Sequence, residues 1–240
     1  YNQVILDLYK RIDGIVGDVR EQYGDEATIF VMSDHGFCCF RRQFNLNTWL
    51  RDNGYLQPSD CRSLLDPRRG RLVDWSRTRA YAIGLNGLYV NLAGRERDGI
   101  VTPDERATLL DEISEQLLSV RDPLDNSPVI ARVDKSDDAY HGPMARAAPD
   151  LIVGYHRGYR ASWATTLGDI TDEILSDNDS AWSADHCMAT HLLPGVLFSN
   201  KPILQHEPSL VDLAPTILQE FDVTIPSTME GEDLFAPRSA

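Results

Sequence analysis

Nowhere in the 240 residues do apolar side chains run long enough to cross a membrane, for which roughly 18 in succession are needed. A membrane-spanning segment is therefore excluded for this chain. Basic residues are scarce: 23 Lys and Arg stand against 37 Asp and Glu, and the net charge of -14 repels a polyphosphate backbone. Nucleic acid is not expected as a partner unless local basic groups or bound cations intervene. Cysteine is also rare, with Cys38, Cys39, Cys61 and Cys187 giving one vicinal pair and no CxxC spacing. Neither a zinc knuckle nor a disulfide framework follows, and free thiols suit a reducing compartment, which leans towards the cytoplasm. Several catalytic signatures are missing as well. There is no GxSxG elbow, no Walker A loop, no GxGxxG after a strand and no HExxH helix. The first residue is Tyr1, and Val4, Ile5, Leu8, Ile12, Ile15, Val16 and Val19 recur at helical spacing from the start. The sequence reads as beginning inside a larger protein, which leaves export, and so localisation, open.

What is present is an α/β pattern. The opening helix is expected to end at Gly24, and Ala27 to Met32 form a short apolar run that reads as a strand buried on both faces, as in a parallel sheet. Residues 45 to 53 read as a short helix closed by Gly54, and 57 to 74 as a loop. Ala80 to Ile83 and Leu88 to Leu92 flank Gly84-Leu85-Asn86-Gly87, whose Asn-Gly step signals a hairpin. Thr102-Pro103-Asp104-Glu105 carries a capping residue, a proline at the first helical position and an acid at the third; Leu109, Leu110, Ile113 and Leu117 then form an apolar stripe. Further strands are expected at Asp150 to Val153 and Gly195 to Phe198, and a helix capped by Asp212 runs towards Phe221. The hairpin and the capped helix define a subdomain at about 75 to 149 within one domain.

The residues suited to chemistry are few. Asp34 and His35 follow the predicted strand, the position at which open α/β sheets bind ligands. A carboxylate and an imidazole supply the oxygen and nitrogen ligands that zinc or manganese accepts. His186 follows Trp182-Ser183-Ala184-Asp185 and precedes another predicted strand; His191 is its rival. His141, His156 and His206 read as surface or packing residues.

Val31-Met32-Ser33-Asp34-His35-Gly36-Phe37 resembles the metal-binding strand end of the alkaline phosphatase superfamily. Tyr89 to Glu96, Pro149 to Val153, Trp182 to His186, Pro194 to Asn200 and Asp212 to Leu218 resemble its type I phosphodiesterase/nucleotide pyrophosphatase branch, in the same order. The resemblance implies a three-layer α/β/α sandwich on a mainly parallel sheet, with this chain as the C-terminal part of one catalytic domain. It implies two divalent metal ions, zinc first and manganese as the alternative, with Asp34 and His35 on one ion and His186 on the other. It implies hydrolysis of small-molecule phosphodiesters or phosphomonoesters through a covalent phospho-enzyme. It further implies a Ser or Thr nucleophile and the remaining metal ligands, expected upstream of this chain; of these, the Asp and His pair cannot lie in residues 1 to 34, since no histidine precedes His35. The alternatives are a sulfatase, a phosphonate hydrolase or a phosphoglycerate mutase of the same superfamily, or a non-catalytic metal-binding fragment or pseudoenzyme.

Overall fold

The computed structural model describes residues 2–24, 26–59 and 73–237. In chain order the elements are α1 (Asn2–Tyr23), β1 (Phe30–Met32), β2 (Cys38–Phe44), α2 (Leu46–Asp52), β3 (Ala80–Ala82), β4 (Gly87–Val90), α3 (Pro103–Ser119) and β5 (Ile130–Lys135). They continue as α4 (Ser136–Ala139), β6 (Leu151–Tyr155), β7 (Gly158–Ala161), α5 (Trp163–Thr166), β8 (Leu175–Asp177), β9 (Ala184–Asp185), β10 (Leu197–Ser199) and α6 (Leu213–Glu220). The mixed α/β class expected from sequence is what forms. Most of the predicted loop at 57 to 74, including Cys61, lies outside the described residues. Among those described, Cys38, Cys39 and Cys187 are free thiols, and no helix is long and apolar enough to cross a membrane.

The chain divides into two compact units, Tyr1–Gly36 with Gly195–Ala240, and Phe37–Pro194. In the first unit β1 pairs antiparallel with β10, in the register Phe30↔Ser199, Val31↔Phe198 and Met32↔Leu197. This corrects the expectation of a parallel strand buried on both faces: Phe30 and Val31 are half-buried and Met32 is exposed. An apolar run reads alike in either sheet type, and here the partner strand returns from far along the chain. α1 forms where predicted, but none of its residues is buried. Asp212 does precede α6, yet its carboxylate accepts from the backbone N–H groups of Ser209 (2.7 Å) and Glu232 (2.9 Å). It therefore serves the turn before α6 and a distant loop in place of the helix.

In the second unit, β3, β4, β6 and β5 form one four-stranded antiparallel sheet in that order. β7, β2 and β8 form a second, mixed sheet, with β9 also on β2. Among the described strands, β2 with β7 is the one parallel pairing, so the pairings are mostly antiparallel where a mainly parallel sheet was expected. The short β3–β4 connection explains part of this, since parallel neighbours need a long crossover. The left-handed residue of that turn is Gly84 (φ +78°), whereas the predicted Asn-Gly step at Asn86 does not take positive φ. The Asn86 amide instead donates to Val153 O at 2.6 Å, which ties the turn to β6.

α3 matches the sequence pattern. The Glu105 carboxylate accepts from the Thr102 N–H (2.9 Å) and hydroxyl (2.7 Å), and Leu109, Leu110, Ile113 and Leu117 are its buried residues. That stripe joins Phe44, Leu50, Leu88, Val153 and Tyr159 in the main core. Ile113 is fully buried, so Ile113→Val is expected to lower unfolding stability by about 0.5–1.5 kcal/mol. Urea denaturation measures this, and a neutral result would mean that the α3 face is not packed as described.

Asp150 organises the same unit. It is fully buried at the start of β6, where Oδ2 accepts from the Val90 N–H (2.7 Å) and from Arg95 Nη2 (2.6 Å). Oδ1 accepts from Arg95 Nη1 (3.1 Å) and Arg106 Nε (2.7 Å). Burial alone would raise the Asp150 carboxyl, but Arg95, the Val90 N–H and Arg106 outweigh it and hold the pKa below the ordinary carboxylate value.

Candidate functional site

Asp34 and His35 lie directly after β1 in the first unit. The strand ladder is extended by one residue, because Ser33 N–H donates to Val196 O and Val196 N–H donates to Ser33 Oγ, each at 3.0 Å. Gly195 permits this approach: a Cβ there would sit 2.8 Å from Ser33 O. The two side chains that follow therefore leave a fixed strand end. His35 Nε2 is 3.3 Å from Asp34 Oδ2, the His35 N–H donates to Asp34 Oδ1 at 3.1 Å, and His35 Nδ1 lies 3.0 Å from Gly36 O. With Asp34 72% exposed and His35 32% exposed, an oxygen and a nitrogen donor converge at an accessible position. That donor set fits a borderline divalent cation such as zinc.

His186 belongs to the second unit and follows β9. β9 pairs antiparallel with β2 through Cys38↔Asp185 and Cys39↔Ala184. The imidazole is half-exposed, its Nδ1 is 3.3 Å from Asp185 Oδ1, and its ring lies 5.6 Å from the Phe37 ring between centroids. Asp185, His186 and Cys187 place one potential ligand atom each within 4.8 Å of the others. Three adjacent donors invite a metal, but Asp185 and Cys187 are poorly suited to one. Asp185 is buried; its Oδ1 accepts from the His186 N–H (2.7 Å) and the Cys187 thiol (3.3 Å). Its Oδ2 accepts from Trp182 Nε1 (3.3 Å) and pairs with Arg160 Nη1. Burial and the neighbouring Asp185 push the Cys187 thiol up to about 11, so it is a neutral donor near pH 7. His186 is thus the one member of the trio with the exposure of a ligand, and the trio does not fit a three-ligand site.

The remaining histidines are scattered. His141, His191 and His206 are exposed. His156 is half-buried, and its pKa is lowered by burial and by the charges of His191 and Arg121. A separate cleft of about 1010 Å³ in the second unit is lined by Tyr81, Tyr89, Arg95, Glu96 and Arg106 among others, and it includes none of Asp34, His35 and His186. Sequence reasoning missed Asp185 and Arg160 as functional candidates. The only local signal was the Trp182 to His186 segment, in which Asp185 stood as a flanking residue.

The structure thus sets an Asp-His pair at a strand end in a mixed α/β frame. The sequence model of the type I phosphodiesterase / nucleotide pyrophosphatase family matches residues 2–172, and the chain belongs to that family. Members act on small phosphoester substrates and are generally metal-dependent. Asp34 and His35 lie inside the matched range, and His186 lies beyond it. A comparison with curated proteins finds no match.

Proposed function

We propose that the intact protein hydrolyses small phosphodiesters or phosphomonoesters, with Asp34 and His35 holding one divalent cation and His186 a second. The observation that supports this reading best is the meeting of Asp34 Oδ2 and His35 Nε2 at 3.3 Å at the end of β1, within the family match. Zinc suits the mixed carboxylate and imidazole donors, and manganese is the alternative. Such a cation supplies Lewis acidity that lowers the pKa of an oxygen nucleophile and offsets charge developing on the phosphoryl oxygens. The chain's own part is positional: β1 and its ladder to β10 hold Asp34 and His35, and β9 holds His186.

The nucleophile, a Ser or Thr that would form the covalent phospho-enzyme, is assigned to residues outside these 240, as are the other ligands. The 240 residues are read as the C-terminal part of one three-layer catalytic domain, with a subdomain at about 75 to 149. For its sheet to be mainly parallel, most strands must likewise come from outside them. Metal content by mass spectrometry on the full protein tests the proposal. Asp34→Ala and His35→Ala should lower the same equivalent, and His186→Ala a different one. Unchanged stoichiometry in all three variants would reject the assignment.

A further inference from the structure

Arg160 is an unusual residue for a protein interior. It lies on β7, fully buried, and β7 pairs with β2 through Gln43↔Arg160. Its Nε donates to Ala161 O at 2.9 Å, and its guanidinium lies 4.5 Å from the centre of the Trp163 ring and 5.1 Å from that of Phe40. A buried cation held by two aromatic faces needs a countercharge, and Asp185 provides it. Both β7 and β9 pair with β2, so this ion pair fixes the β9 carboxylate relative to the strand that carries them. Oδ2 is taken by Arg160 and the Trp182 indole, which turns Oδ1 towards His186.

We propose that Asp185 and Arg160 are positioning residues for His186, and that Asp185 itself does not ligate metal. Oδ1, 3.3 Å from Nδ1, favours the proton on Nδ1 through its charge, and so the lone pair on Nε2, the nitrogen that would meet the cation. A carboxylate behind a ligating histidine sets its tautomer and ring orientation. Arg160 does the same one step further back, by stopping the carboxylate from turning away. The inference rests on the reading of His186 as a ligand, and the test separates the two.

Asp185→Asn is the informative variant. Its carbonyl oxygen is drawn to the Arg160 donors, so the amide NH₂ faces Nδ1 and favours the wrong tautomer. In the metal-free full protein, ¹⁵N NMR of the His186 ring should report Nδ1–H in the wild type and Nε2–H in Asp185→Asn. Zinc affinity, measured by competition with a chromophoric chelator, should fall about 10- to 100-fold in that variant. Arg160→Gln should shift both readouts in the same direction, and if it does not fold, Asp185→Asn alone decides. The wild-type tautomer with unchanged zinc affinity in Asp185→Asn, while His186→Ala loses an equivalent, would overturn the positioning role. Full metal content in His186→Ala would instead overturn the ligand assignment beneath it.

Discussion

His35→Ala and His186→Ala should each reduce phosphodiester turnover of the intact protein by about 10²–10³-fold, while His191→Ala should leave it near the wild-type rate. The magnitude follows from the several kcal/mol that a bound cation contributes to the transition state, at about 1.36 kcal/mol per tenfold in rate. Loss of one ligand weakens metal binding and misplaces whatever remains bound. His191 is expected to be silent because it sits exposed in the turn Thr190–Leu192, without the buried carboxylate that stands behind His186. Initial rates on a nitrophenyl phosphodiester with saturating zinc measure all three variants. A large loss in His191→Ala together with a wild-type rate in His186→Ala would exchange the two assignments.

The features legible in the sequence were those encoded by neighbours. α3 carries its own start signal in Thr102 to Glu105 and its own apolar stripe, so its start and its buried residues were available from local pattern alone. The β3–β4 hairpin was equally local, although its positive φ falls at Gly84 and not in the Asn-Gly step, whose Asn86 bonds to Val153. β1 was recognised as a strand, but its partner was not. Three half-buried or exposed residues carry no mark of whether β10 or a parallel neighbour lies beside them. Asp34 and His35 stood out because they are adjacent and follow an apolar run. Asp185 and Arg160 are far apart in sequence, and their pairing is created only when β7 and β9 both dock on β2. The mixed α/β class was therefore accessible from the sequence, whereas the sheet type and the contacts behind Asp185 were not.

The same distinction makes Asp150→Asn the most damaging expected change to stability. The sequence reads Asp150 only as the first residue of an expected strand, within a segment that resembles the family, yet Arg95 and Arg106 both end on it from separate elements. The substitution keeps the shape and an acceptor for the Val90 N–H, but it removes the buried charge that two guanidinium groups face and points an NH₂ group at one of them. Removing one partner of a buried pair destabilises by about 3–5 kcal/mol, and the partial exposure of Arg95 and Arg106 places the expected loss near about 3 kcal/mol. The effect depends on pH with a definite sign. Because the folded-state pKa of Asp150 is depressed, its contribution is complete above the unfolded value of about 3.9 and is lost as pH falls through the folded value. Urea denaturation at pH 7 should therefore separate wild type from Asp150→Asn by that amount, and the gap should narrow in acid below about pH 4. A gap under about 1 kcal/mol at pH 7, the range of an exposed ion pair, would mean that water reaches the cluster and that Asp150 does not hold β4 and β6 together.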